Sequence, residues 1–101
     1  DIVYYILPSN KGDYYFYISN NNEIEYNFIV KVNNDKICEV PLYKGGPNNH
    51  YLLIKLGGEC KINFQVFLEN VLKKEENITF AMNMKNEYDK KGQIIIYDEN
   101  N

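Results

Sequence analysis

Apolar and polar residues alternate with a period of two through nearly every segment of the chain. Cys60-Lys61-Ile62-Asn63-Phe64-Gln65-Val66 reads inward, outward, inward, as a strand buried on one face does. The same pattern predicts strands over 2–7, 13–19, 24–33, 36–42, 50–56, 60–69, 77–84 and 93–97. Between them stand Pro8-Ser9-Asn10-Lys11-Gly12, Asn20-Asn21-Asn22, Asn33-Asn34-Asp35, Gly45-Gly46-Pro47-Asn48-Asn49, Gly57-Gly58 and the polar run Lys73-Lys74-Glu75-Glu76. Asn and Gly suit such breaks because they adopt positive φ at little cost. Helical spacing competes in one place, over 67–76, where Phe67, Leu68, Val71 and Leu72 recur three to four apart. Short strands at regular intervals predict an all-β fold: an antiparallel β-sandwich of about eight strands, jelly-roll or immunoglobulin-like, in a single domain over 1–101.

Alternation also assigns faces. The predicted core holds Tyr14, Phe16 and Ile18, then Tyr26, Phe28, Val30 and Val32, then Leu52, Ile54 and Leu56. It continues through Ile62, Phe64, Val66 and Leu68 to Ile78, Phe80, Met82 and Met84, and closes with Ile94 and Ile96. The opposite faces carry Tyr15, Tyr17, Ile29, Phe67, Ile95 and Tyr97, more apolar surface than a free-standing sandwich presents. Tyr15, Tyr17, Phe67 and Tyr97 are therefore the candidate ligand or docking surface, with Tyr4, Tyr5, Tyr43 and Tyr51 as a rim. Exposed tyrosine rings stack on sugars while the hydroxyls bond to their edges, so glycan is one candidate ligand.

Composition narrows the function. The chain has 11 Lys, no Arg and a net charge of −3, and its lysines are scattered. Nucleic acid is thereby an unexpected partner, because phosphate binding needs concentrated positive charge and base reading leans on Arg. No apolar run reaches the roughly 20 residues of a spanning helix. The chain opens directly on a strand without Met, which reads as a domain excised from a larger protein.

The residues that carry chemistry are few. His50 is the only histidine, too little for a zinc site, and no metal or other cofactor is expected. Ser9, Ser19 and Thr79 lie outside any nucleophile motif, and the acid pairs Glu23/Glu25, Glu75/Glu76 and Asp98/Glu99 fall in or beside expected turns, so the chain is not expected to be an enzyme. Cys38 and Cys60 are each in phase with inward residues and either join the two sheets as a disulfide or act as two buried thiols. Asn77-Ile78-Thr79 matches the N-glycosylation acceptor pattern at Asn77.

Four segments together carry a resemblance: Tyr14-Tyr15-Phe16-Tyr17-Ile18, Phe28 through Ile37, Leu52-Leu53-Ile54-Lys55-Leu56-Gly57, and Cys60 through Val66. In this order they resemble the soluble domain of YfhO-type bacterial membrane proteins, relatives of membrane glycosyltransferases. There, a V-N-G-K-x-I hairpin precedes an L-G-x-x-x-x-G-x-x-I-x-I strand pair; here Asn34-Asp35 stands in place of the hairpin glycine. The resemblance implies a non-catalytic extracytoplasmic accessory domain of a membrane-anchored cell-envelope protein, contacting a neighbouring domain of the same polypeptide or glycan. The alternative is a eukaryotic, parasite-like cell-surface module for adhesion or protein binding.

Overall fold

The computed structural model describes residues 1–9, 11–45, 49–81 and 91–96. Its strands are β1 (Ile2–Pro8), β2 (Tyr14–Asn20), β3 (Tyr26–Val32), β4 (Asp35–Leu42), β5 (Tyr51–Leu56), β6 (Cys60–Leu68), β7 (Val71–Phe80) and β8 (Lys91–Ile94). They form two antiparallel sheets of four, ordered β5-β2-β1-β8 and β4-β3-β6-β7. This is the all-β sandwich that the alternation predicts. The strand order is that of an immunoglobulin-like sandwich with its fourth strand in the second sheet, and β8 is added beside β1.

Two-residue turns set the register of two hairpins. Asn33 and Asn34 have φ of 51° and 70°, and Glu69 and Asn70 have φ of 50° and 67°. Two successive positive φ values give a turn whose twist matches that of the flanking strands. The pairs Val32–Asp35 and Leu68–Val71 close the two turns. Asn33 also locks its turn to β6: its Oδ1 accepts from the Lys61 N–H at 2.9 Å, and its own N–H donates to the Lys61 carbonyl at 2.8 Å.

The second turn corrects the expected break at Lys73-Lys74-Glu75-Glu76. Those residues lie inside β7, which begins at Val71, six positions ahead of the expectation, and no helix forms over 67–76. A charged run is compatible with a strand here because β7 is a sheet edge, where charge discourages further pairing.

The core sits between the sheets. Phe16, Ile18, Phe28, Val30, Phe64, Val66 and Phe80 are at most 1% exposed. Antibody domains pin their second and sixth strands with a disulfide under a tryptophan. Here Phe16 of β2 meets Phe64 of β6 at 6.2 Å between ring centroids, and Tyr14 meets Phe80 at 4.7 Å. Ile2, Ile6 and Leu42 are also buried, three core positions that alternation had not assigned. Met82 and Met84 lie outside the described residues.

Tyr4 corrects its expected place on a rim. It points inward from β1 onto Phe16 and Phe64, at 6.1 and 5.5 Å. Opposite it on β8 stands Gly92, where any Cβ would run into the Tyr4 ring. Burial first, and the nearby Glu76 charge second, push the Tyr4 hydroxyl pKa up.

Cys38 and Cys60 are free, so of the two alternatives the disulfide is the one that is absent. Topology explains why. Both cysteines lie in the same sheet: Cys38 pairs with Val30, Val30 pairs with Phe64, and Cys60 is four residues further along β6. Two strand spacings and four residues put them about 10 Å apart across the sheet and about 13 Å along it. A disulfide needs Cα atoms within about 7 Å. Burial raises both thiol pKa values, and a backbone hydrogen bond at Val30 partly offsets this at Cys38.

Candidate binding face

Odd-numbered residues of β1, β2 and β5 point away from the core. Strand pairing arranges them in rows, with Tyr5 opposite Tyr17, Tyr17 opposite Leu53, Leu7 opposite Tyr15, and Ser19 opposite both Val3 and Tyr51. The result is a tyrosine ladder across three strands. Tyr5 and Tyr17 lie 6.0 Å apart with rings tilted by 38°, and Tyr17 and Tyr51 lie 5.7 Å apart and nearly parallel at 29°. The His50 ring meets Tyr51 edge-on at 5.4 Å.

Aliphatic side chains extend the ladder. Leu7 is 42% exposed and Leu53 54% exposed, an arrangement of contiguous rather than scattered apolar surface. Beside it, between β1 and β8, lies an open hollow of about 420 Å³ lined by Val3, Tyr5, Lys91, Gly92 and Gln93. The charges around it are of both signs: Lys91 pairs in register with Tyr5 and Lys55 with Tyr15, while the Asp1 carboxylate accepts from Gln93 Nε2 at 2.7 Å. Lys55 also reaches Asp13 at 3.5 Å, an exposed pair of little energetic weight.

The expected surface therefore divides. Tyr15 and Tyr17 share the outer face of the β5-β2-β1-β8 sheet. Phe67 lies on β6, in the other sheet, and pairs with Asn27, so it belongs to the opposite side of the sandwich and is removed from the common surface. Tyr97 lies outside the described residues. Tyr5 and Tyr51, expected only at the rim, join Tyr17 in the ladder, Tyr5 from the inner strand β1 and Tyr51 from the edge strand β5. Their positions follow from strand order, since β1 and β5 flank β2.

The other outer face is mixed: Phe67 lies between Asn27 and Leu72, which is 45% exposed, and a polar network runs beside them. Asn63 donates to Glu75 at 3.1 Å and to Asn77 at 3.0 Å, and Gln65 donates to Glu75 at 2.8 Å. Asn77, the glycosylation candidate, is exposed on edge strand β7 within this network. Among the described residues no group of three or more His, Cys, Asp or Glu side chains converges as metal ligands. No helix among them is long and apolar enough to cross a membrane.

Compared with protein-family models, with curated proteins and with solved structures, the chain matches none significantly.

Proposed function

We propose that this chain is a non-catalytic binding module, an extracytoplasmic accessory domain of a cell-envelope protein, and that its working surface is the outer face of the β5-β2-β1-β8 sheet. The observation that carries this reading is the ladder Tyr5-Tyr17-Tyr51 with Leu53 and Leu7 beside it. A sandwich covers its inner faces with each other and needs no aromatic outer face for its own stability. Tyrosine serves at interfaces because its ring buries area while its hydroxyl finds a polar partner. The surface is therefore read as seating a neighbouring domain.

Hydroxyl-radical footprinting tests it, since tyrosine rings are readily modified when open to solvent. Tyr5, Tyr17 and Tyr51 are expected to be reactive in the isolated chain and protected in the complete gene product. Equal modification in both would overturn the docking reading.

Glycan contact is the second reading, favoured by the hollow beside Tyr5, where Lys91 and Gln93 place polar head groups next to an aromatic ring. Titration with oligosaccharides should then shift amide resonances of β1, β2 and β8 and leave β7 unmoved. No shift at those strands would dismiss it.

A further inference from the structure

Among the described residues the two sheets end in four strand edges: β5 and β8 in one, β4 and β7 in the other. An edge strand exposes a row of unpaired N–H and C=O groups, and soluble proteins obstruct it with charge, proline, shortness or a bulge. β8 is only four residues long. β4 carries Pro41 and the exposed Lys36–Glu39 pair. β7 carries four consecutive charges, and its pairing with β6 shifts register at Val66/Phe67. β5 is the least protected: Tyr51-Leu52-Leu53-Ile54-Lys55-Leu56 holds a single charge, no proline and an unbroken register against β2.

The hydrogen-bond phase shows which groups of β5 face outward. Asn20 N–H donates to the His50 carbonyl at 2.7 Å, so His50 turns toward β2. Alternate residues of an antiparallel strand turn to the same neighbour. Leu52, Ile54 and Leu56 therefore engage β2, and Tyr51, Leu53 and Lys55 present their N–H and C=O groups at the open edge.

We propose that β5 pairs antiparallel with β5 of a second copy of this chain, about a two-fold axis through a Leu53–Leu53 pair. Three observations select this register. Its hydrogen-bonded pairs, Leu53 with its twin and Tyr51 with Lys55 in both directions, are the residues whose backbone groups point outward, which gives about six N–H···O bonds. Leu52 falls opposite Ile54 on the inner face. Lys55 falls opposite a tyrosine ring rather than another cation, whereas pairing centred on Lys55 would set two lysines face to face. The edge is thus complementary to itself, as the identical patches of a two-fold dimer must be. The product is one eight-stranded sheet that joins the two aromatic faces.

Sedimentation velocity of the chain is expected to show a concentration-dependent dimer. Leu53→Pro removes an N–H that the β2 ladder does not use, so it should leave a folded monomer. Leu53→Cys should close a symmetric disulfide on mild oxidation, because directly opposed hydrogen-bonded residues lie about 5.5 Å apart. The cross-link decides the matter if the proline variant does not fold, with Thr79→Cys on β7 as the reference. A monomer at millimolar concentration, a folded Leu53→Pro variant that still dimerises, or a Leu53→Cys variant that cross-links no faster than Thr79→Cys would overturn the proposal. Pairing of β5 only with an extended peptide of another protein would also overturn it.

Discussion

Asn20 is a fully buried amide whose hydrogen-bonding groups all have partners. Its Nδ2 donates to the Ile24 carbonyl at 2.9 Å and the Leu42 carbonyl at 2.7 Å, while its Oδ1 accepts from Asn22 N–H at 3.0 Å. It thereby ties the end of β2 in one sheet to the end of β4 in the other. A buried polar group costs little when paired and much when its partners are orphaned. Asn20→Leu keeps the volume and removes these bonds, leaving two carbonyls without their donor. It is expected to cost about 2–4 kcal/mol, read as a lower urea midpoint at unchanged slope. A midpoint within error of the parent would refute this role. In the sequence, Asn20-Asn21-Asn22 reads as a turn with three equivalent residues, because only packing distinguishes the buried one.

At the scale of elements, both two-residue hairpin turns need positive φ twice, but they meet that need unequally. Asn33-Asn34 uses the residue that tolerates the left-handed region best after glycine, while Glu69-Asn70 places a glutamate there at φ 50°. Glu69→Asn should therefore stabilise the β6–β7 hairpin by about 0.5–1 kcal/mol, seen as a rise of several degrees in melting temperature. The equivalent gain should not follow from any asparagine placed at Lys73, two residues into β7; a gain there and none at Glu69 would count against the turn assignment. The same turn explains why the start of β7 was hidden. Glu69 is an unfavourable turn residue and gives no turn signal, and the charged run after it mimics a loop, so the true turn lies where no glycine or paired asparagine marks it.

Across the whole molecule, stability rests on the packing between two sheets and not on a covalent link. Cys38 and Cys60 are separated by β3, so the melting temperature is expected to be the same with and without reductant. A drop on reduction would mean that the two thiols had been joined. Their raised pKa values also set a direction with pH. The folded state favours the neutral thiol, so it binds protons that the unfolded chain has released. Stability is then complete below the ordinary thiol range and falls as pH rises above about 8.5, the Tyr4 hydroxyl adding the same sign at higher pH. Thermal melts from neutral to alkaline pH check this, and Cys38→Ala with Cys60→Ala should flatten the lower part of the decline.

Period-two alternation determined by itself that the chain is an all-β sandwich, and it placed Phe16, Phe28, Phe64 and Phe80 inside, because a strand's faces are a local property of its own residues. It also put Tyr15 and Tyr17 outside. What it could not contain is which strands are neighbours. That Tyr5 and Tyr51 join Tyr17 in one ladder, that Phe67 lies on the opposite side, and that Cys38 and Cys60 cannot meet all follow from the orders β5-β2-β1-β8 and β4-β3-β6-β7. Those orders are decided by long-range pairing and by the packing of one sheet on the other, energies shared between residues far apart in sequence and carried by no single segment.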